Sequence, residues 1–464
     1  MIKIRFLGAT RAVTGSCYYI ETSKRKFLVD CGMFQGKDAK LNVNDFVFNP
    51  SDIDFILITH AHIDHTGRLP LLVKQGFKGS IFCTTATADL LKIMLVDSGH
   101  IQEMDAISEN KKRQRKGLPP IEPLYTAQDG DRVKDFVTSV PYNYTIQVDK
   151  NISVNFKDAG HLLGSSIIEI NILDDGQNKK IVFSGDLGNT NIPIIKDYEF
   201  VDYADYLIIE STYGNRLHPS LDEALNLYDI IEKTTSKGGN VVIPSFAVGR
   251  TQELLYILNH YVDIEKIKRM SEIEIYLDSP LAEEATGVFE RHKECYDEDA
   301  LKNLALDIDV LDFKNLHYVK TKEESMELNK KNGVVIISSS GMCEAGRIKH
   351  HLKYNLWKKN STILFVGYQA EGTLGRRILD GAKKVKIFGE EIAVNAEVIN
   401  MPGLSGHADL NGLVNWFKNI KNGVGKRVFI THGEVEASFN LKKVFESISN
   451  VSCYIPDFME EIIL

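Results

Sequence analysis

The chain has 464 residues, 43% of them hydrophobic and 25% charged, a globular composition with room for two or three domains and too long for one simple core. A formal net charge of −8 excludes a protein that coats itself broadly onto polyanions, so any nucleic-acid binding must use local positive charge. Cys17, Cys31, Cys83, Cys295, Cys343 and Cys453 form no CxxC pair, which argues against a disulfide framework and for free thiols in a reducing compartment.

The first residues, Met1 to Leu7, alternate as a strand does and lack the apolar core of a signal peptide. No stretch reaches the length of a membrane span, and the expected location is the cytoplasm, away from any membrane. Strands are predicted over residues 2–7, 17–21 and 26–30, with Gly15 and Gly32 marking turns. Residues 52–59 read as a buried strand and 65–75 as a helix. Residues 87–99 and the polar stretch after them read as helical, and strands return over 152–158, 166–173, 180–184 and 206–210.

From about residue 213 the period changes. Helices over 221–235, 251–262, 282–304, 323–330, 345–357 and 373–380 alternate with strands over 240–244, 272–277, 317–319, 333–338 and 362–368. That alternation predicts a parallel, doubly wound sheet. After Lys384 strands over 385–388 and 391–399, a helix over 410–418 and a buried strand over 427–431 complete the chain. The order implies a β-rich domain interrupted by an inserted α/β domain.

His60-Ala61-His62-Ile63-Asp64-His65 directly follows the apolar run 55–59. These three imidazoles and one carboxylate cannot all turn inward on one helix or one strand, yet they converge if the segment is a loop folded around metal ions. Histidines also cluster on loops as solvated polar groups, but this ligand mix is the one that suits zinc. Three further polar sites sit at strand ends: Asp158-Ala159-Gly160-His161, Ser184-Gly185-Asp186-Leu187-Gly188 and Thr431-His432-Gly433. Strand-end loops are where ligands bind in sheets covered by helices. A lone His or Asp in such a turn is commonly a surface residue; together with the first cluster they supply ligands for two metal ions.

These segments, with the strand ending in Asp30, resemble the successive metal-site motifs of the metallo-β-lactamase superfamily. Ile209-Glu210-Ser211-Thr212-Tyr213-Gly214, Ser405-Gly406-His407-Ala408-Asp409 and Thr431-His432-Gly433-Glu434 resemble the extra motifs of its β-CASP branch. Pro244 to Arg250 and Gly367 to Leu374 resemble parts of the domain inserted in that branch. The match covers nearly the whole chain with every motif in order. Where the family commonly has Ser-Ala-His, this chain has Ser405-Gly406-His407, a change that loosens the backbone and leaves the imidazole. The resemblance implies an α/β fold, an αββα metallo-β-lactamase sandwich (residues 1–212 and 387–464) interrupted by a parallel-sheet β-CASP domain (residues 213–386). Neither the leading KH domains of archaeal members nor the C-terminal domain of RNase J is expected.

By the family pattern one Zn2+ takes His60, His62 and His161, and the other takes Asp64, His65 and His432, with Asp186 bridging. Mn2+ is the alternative metal. Asp30 accepts a hydrogen bond from a ligand imidazole and fixes its tautomer; the plainer reading is a turn-forming Asp before Gly32. The implied reaction is attack on phosphorus by a hydroxide that the two metals generate, with Asp64 and Asp186 in the catalytic set. His407 donates a proton to the leaving oxygen or offsets transition-state charge, and Glu210 orients it and keeps it protonated; Glu210 as a buried acid with only a structural hydrogen bond is the competing reading.

Ser339, Ser340 and Gly341 follow a strand and precede a helix, so their N–H groups suit a phosphate, as they also suit an ordinary tight turn. Arg250, Arg376 and Ser405 are further substrate-side candidates by motif. Phe246 suits base stacking or, more commonly for an aromatic at a strand end, the core. Lys111-Lys112-Arg113-Gln114-Arg115-Lys116 is the one dense basic run, read either as a backbone contact for RNA or as a solvated face.

The expected function is a zinc-dependent ribonuclease acting on single-stranded RNA as an endonuclease, with 5′ exonuclease action as a second mode and a homodimer left open. The alternatives are a small-molecule thioester or lactam hydrolase, which the large insertion disfavours, and a DNA-directed nuclease of the same branch. No residue reads a 2′-hydroxyl, so the choice of RNA rests on resemblance.

Overall fold

A computed structural model describes residues 1–218, 223–264, 268–306, 309–401 and 405–464. The helix predicted from residue 221 is described from Glu223 to Thr235; Leu221 itself lies outside the described residues. The chain divides into two compact units. The first comprises Met1–Thr190, Asp197–Leu217 and His407–Leu464; the second comprises Asn191–Lys196 and His218–Gly406.

The first unit is built on two seven-stranded sheets. One runs Glu461–Ile463, Lys3–Phe6, Tyr18–Glu21, Lys26–Val29, Phe55–Leu57, Ser80–Thr84, Val137–Val140. The other runs Ser452–Tyr454, Val424–Thr431, Ala204–Glu210, Gln177–Phe183, Ser166–Asp174, Ile152–Asp158, Ile146–Asp149. Because side chains alternate along a strand, each sheet turns one row inward. Ile4, Phe6, Phe27, Val29 and Phe55 meet Val154, Phe156, Ile168, Phe183 and Phe429 in one buried core. The opposite row of the second sheet, Val182, Leu207, Ile209 and Val428, buries Trp416 of the helix Leu410–Lys418 and Phe445 of the helix Val435–Ile448. Helix Thr85–Arg115 lies against Ser80–Thr84 and Val137–Val140 of the first sheet, so the layers stack helix, sheet, sheet, helix.

The second unit holds a six-stranded parallel sheet in the order Leu316–Tyr318, Ile275–Leu277, Val335–Ser338, Val241–Pro244, Thr362–Phe365, Glu397–Asn400. Its four inner strands are buried at every position, as strands covered on both faces are, whereas the edge strands Leu316–Tyr318 and Glu397–Asn400 are partly exposed.

Several predicted elements differ from the observed ones. Residues 391–399, expected as one strand, are divided between a hairpin strand, Glu390–Ala393, and the sheet strand Glu397–Asn400. The N–H groups of Asn395 and Ala396 both donate to the Leu356 carbonyl, a local tether that bends the chain without disturbing its apolar alternation. The helix expected over 65–75 is two short helices, Ile63–Thr66 and Leu69–Lys74. Pro70 lacks an N–H and starts the second more readily than it continues the first. The strand expected over 52–59 is confined to Phe55–Leu57, because Thr59 leaves the ladder to donate to Asp30.

Candidate metal centre

The seven predicted ligands come together at the carboxyl ends of the two sheets of the first unit. Lys26–Val29 and Phe55–Leu57 run parallel, with Val29 opposite Leu57, so the chain segments after them emerge side by side. In the other sheet Gln177–Phe183, Ala204–Glu210 and Val424–Thr431 are parallel neighbours, with Glu210 opposite Thr431. Ile152–Asp158 points the same way, being two antiparallel steps from Gln177–Phe183. One edge therefore collects Asp30, the segment His60 to His65, His161, Asp186, Glu210 and His432.

The ligand atoms fall into two groups. His60, His62, His161 and Asp186 form one, and Asp64, His65 and His432 another, with atoms inside each group within 4.8 Å of one another. His60 Nε2 and His161 Nε2 lie 3.1 and 3.3 Å from His62 Nδ1. Asp186 Oδ2 is 3.5 Å from His60 Nε2 and 3.4 Å from His65 Nε2, so this carboxylate stands between the groups. His65 Nε2 and His432 Nε2 approach to 3.2 Å, and His432 Nε2 is 3.6 Å from Asp64 Oδ2.

Close backbone packing holds the loops in register. A Cβ on Gly32 would lie 1.7 Å from the Asp64 carbonyl oxygen, so only glycine lets the two loops meet. Cys31 N–H donates to the His65 carbonyl and Ser16 N–H to the Asp64 carbonyl, each at 2.8 Å. Gly188 makes the same kind of approach, 1.7 Å from the Gly160 carbonyl oxygen, which locks the His161 loop onto the Asp186 loop.

Asp30, in the left-handed region at φ 57°, accepts from His65 Nδ1 at 2.7 Å, from Thr59 N–H at 2.9 Å and from Ser16 Oγ at 3.1 Å. With Nδ1 occupied as a donor, His65 Nε2 keeps its lone pair for the ligand group. Thr212 Oγ1 meets His432 Nδ1 at 3.2 Å and orients that ring in the same way. Thr59, Thr212 and Ser16 were not singled out in the sequence. Thr59 and Thr212 adjoin motifs and are legible there as neighbours, whereas Ser16 carries no local signal.

Burial, followed by repulsion from His65, holds His60 well below the usual imidazole range, and burial holds His62 near 4, so both rings are neutral at pH 7 with lone pairs available. Burial opposes ionisation of the half-buried Asp64, but the His432 hydrogen bond and the charges of His65, His432 and His62 together outweigh this and bring its carboxyl to about 2. For His65 burial opposes charge, yet Asp186 and Asp30 overcome it and draw a proton onto the ring. The acidic side of the cluster thus pulls in positive charge that a cation can supply. Among the described residues Asp186 Oδ1 is buried without a hydrogen-bond partner, its nearest ring nitrogen being His432 Nδ1 at 3.4 Å, an expensive state for a carboxylate oxygen unless a cation covers it. The neutral rings of His60 and His62, a His65 ring whose proton a cation can replace, and ionised carboxylates, one of them between the groups, fit a pair of divalent ions with borderline N/O preference.

Beside this cluster, His407 Nδ1 meets Glu210 Oε1 at 3.1 Å. Glu210 is fully engaged: Leu187 N–H donates to Oε1 at 2.7 Å and Thr212 N–H to Oε2 at 3.2 Å. Burial works against charge on His407, but the Glu210 carboxylate outweighs it and lifts the imidazole to about 9. The His407 and His161 rings lie 4.5 Å apart, centroid to centroid, so the charged imidazole borders the ligand group.

The remaining candidates lie in the second unit. Arg250 is buried and its guanidinium is committed to Glu253. Arg376 Nε bonds both oxygens of Asp380 at 2.9 and 3.0 Å. Ser339 Oγ meets Ser279 Oγ at 2.8 Å, and Ser340 Oγ accepts from Ala345 N–H at 3.2 Å. Phe246 is half-buried against Gly341, where an added Cβ would come within 2.7 Å of its ring. Ser405 is buried near the end of the unit. Sequence reasoning missed the network beneath this loop. The buried Asp278 accepts from Arg347 Nη1 at 2.6 Å, Ser325 Oγ at 2.5 Å and His351 Nε2 at 2.5 Å.

Three family models match the chain: Metallo-beta-lactamase superfamily over residues 10–142, Beta-Casp domain over 251–378, and Zn-dependent metallo-hydrolase RNA specificity domain over 391–456. The chain is 35% identical to Ribonuclease TTHA0252 of Thermus thermophilus across 94% of both chains. It is 31% identical to an RNase J-like protein of Methanocaldococcus jannaschii across 98% of both. It is 32% identical to transcription termination factor FttA of Methanosarcina mazei, covering 95% of this chain and 68% of that one. A crystal structure of a protein of unknown function from Enterococcus faecalis V583 shares the fold, with a TM-score of 0.52 at 14% identity over 100% of both chains. The chain belongs to the metallo-β-lactamase superfamily, in its β-CASP branch. It is a hydrolytic enzyme of the divalent-metal-binding kind.

Proposed function

We propose that this protein is a zinc-dependent ribonuclease that hydrolyses phosphodiester bonds of single-stranded RNA, internally and from the 5′ end. The observation that carries this reading is the conjunction of two adjoining ligand groups with a carboxylate-paired, charged imidazole beside them. The names of the relatives and of the matched RNA specificity domain support RNA as the polymer.

His60, His62 and His161 would hold one zinc ion and Asp64, His65 and His432 the second, with Asp186 shared. When bound, the zinc pair supplies Lewis acidity and a water made acidic enough to act as nucleophile near neutral pH. Asp30 and Thr212 hold His65 and His432 in the tautomer that presents Nε2. Glu210 keeps His407 protonated through Nδ1, so Nε2–H faces outward as the proton donor to the leaving oxygen. In the second unit Ser339, Ser340, Gly341, Arg376 and Ser405 are the residues we assign to the RNA backbone. Arg250 serves that role through the loop it braces, since Glu253 already holds its guanidinium. Six buried free cysteines accord with a cytoplasmic location.

The test is incubation of zinc-loaded protein with 5′-labelled and 3′-labelled single-stranded RNA and DNA, alongside Asp64→Ala. Internal RNA fragments that vanish in the variant support the reading. Cleavage of DNA alone, or of neither polymer, would overturn it.

A further inference from the structure

Helix Thr85–Arg115 does two things at its two ends. At the amino end Thr84 Oγ1 and Thr87 Oγ1 donate to the Gly164 carbonyl at 2.5 and 2.8 Å, which fastens the helix to the loop carrying His161. At the carboxyl end it leaves the body of the unit. Its buried residues run from Ala86 to Gly99, with Ala106 the last, and beyond that Lys111, Lys112, Arg115 and Lys116 are exposed. A helix of 31 residues spans about 45 Å at 1.5 Å per residue, so the two ends are far apart on one stiff element.

The free end is braced. Asn110 makes a two-way amide clamp with Ile121, Nδ2 to the carbonyl and N–H to Oδ1, both at 2.8 Å. Arg113 Nε donates to the Pro119 carbonyl at 2.7 Å. Gly117, in the left-handed region at φ 65°, ends the helix, and Leu118 N–H returns to the Arg113 carbonyl. Five positive charges in six residues are thus held on a defined tip of a chain whose net charge is −8. Lys112 pairs with Glu109 at 3.3 Å; among the described residues Lys111, Arg115 and Lys116 form no ion pair.

We propose that this tip is a second contact for the polynucleotide, holding the backbone phosphates at a fixed distance from the scissile bond. The inference rests on the ribonuclease reading above. Its partner follows from charge: a solvent-exposed basic cluster on an otherwise acidic protein fits a polyanion, and the tip is tied by one helix to the catalytic edge. If the strand follows the helix at about 3.4 Å per phosphate, the tip meets it about a dozen nucleotides from the cleaved bond, and fewer if the strand is extended. RNA long enough to reach the tip gains affinity; short RNA does not.

Cations at a helix carboxyl end also complement the backbone dipole, and that role alone would register as thermal stability. The experiment therefore measures both. The zinc-loaded protein in an Asp64→Asn background, which blocks cleavage, is compared with the same protein carrying K111Q, K112Q, R115Q and K116Q. Fluorescence anisotropy gives Kd for uniform single-stranded RNAs of about 6 and about 30 nucleotides over roughly 0.05 to 0.2 M salt. Neutralising two to four phosphate contacts should lower the log–log salt slope for the long RNA by about 1.4 to 2.8, leave the short RNA within twofold, and be reversed by K111R, K112R, R115K and K116R. An unchanged slope for the long RNA, with or without a fall in Tm, overturns the proposal. So does a loss of self-association with unaltered RNA binding, which would make the tip a protein contact. If the native enzyme neither binds nor cleaves RNA of any length, the ribonuclease reading fails instead.

Discussion

Replacing Glu210 by Gln tests the charge on His407. Lifting an imidazole from its ordinary 6.5 to about 9 is a net preference for the charged form of about 3 kcal/mol, so the neighbouring carboxylates supply more than that to overcome burial. Glu210 is the principal source. The neutral amide keeps the shape and can still accept from Leu187 N–H, but burial then pulls the imidazole to or below 6.5. On the proposed mechanism protonated His407 is the active form, so the alkaline limb of the kcat profile should lie at or below about 9 in the native enzyme, since bound cations oppose its charge. The variant should move that limb down by one or more pH units. At pH 8 the fall in kcat should be on the order of tenfold to a hundredfold, shrinking as pH is lowered. Zinc content, read by atomic emission, and KM should hardly change. A variant with an unmoved alkaline limb and undiminished kcat would refute the assignment of both residues.

Asp30→Asn weakens the acceptor on His65 Nδ1, and metal affinity measured by chelator competition should fall about 10- to 100-fold with the fold intact. Without a bound cation the buried Asp186 carboxylate keeps, among the described residues, only imidazole neighbours to offset its charge. Scanning calorimetry should show a lower Tm for the apo protein, corresponding to about 4 kcal/mol at free metal near a thousand times Kd. An equal Tm with and without chelator would argue against a structured metal site. Gly32→Ala places a methyl 1.7 Å from the Asp64 carbonyl oxygen, so metal content and activity should collapse before far-ultraviolet dichroism changes. Asp278→Asn in the second unit leaves Arg347 and His351 without their buried carboxylate; denaturant melts should show a loss of about 3–5 kcal/mol in that unit.

The ligand types and their order along the chain were readable from local sequence. A histidine-rich segment after an apolar run, and an Asp or His after each of four other strands, are patterns in short windows, and the carboxyl end of a strand is where such residues have room to act. The alternation of strands and helices from residue 213 onward likewise set the parallel sheet, because a helical crossover returns the chain to the same end of the sheet. What the sequence left undecided depends on contacts between distant segments. The pairing of Glu210 with His407, 197 residues apart, was expected from the family resemblance and not from any local pattern, and only folding gives the imidazole its charge. The approach of Gly32 to Asp64 and the division of 391–399 between two sheets follow from packing that no window of sequence contains. Residue type settled which atoms are able to bind a metal; tertiary structure decided which are neutral, which are charged and which are already spoken for, because burial and neighbouring charge act through space.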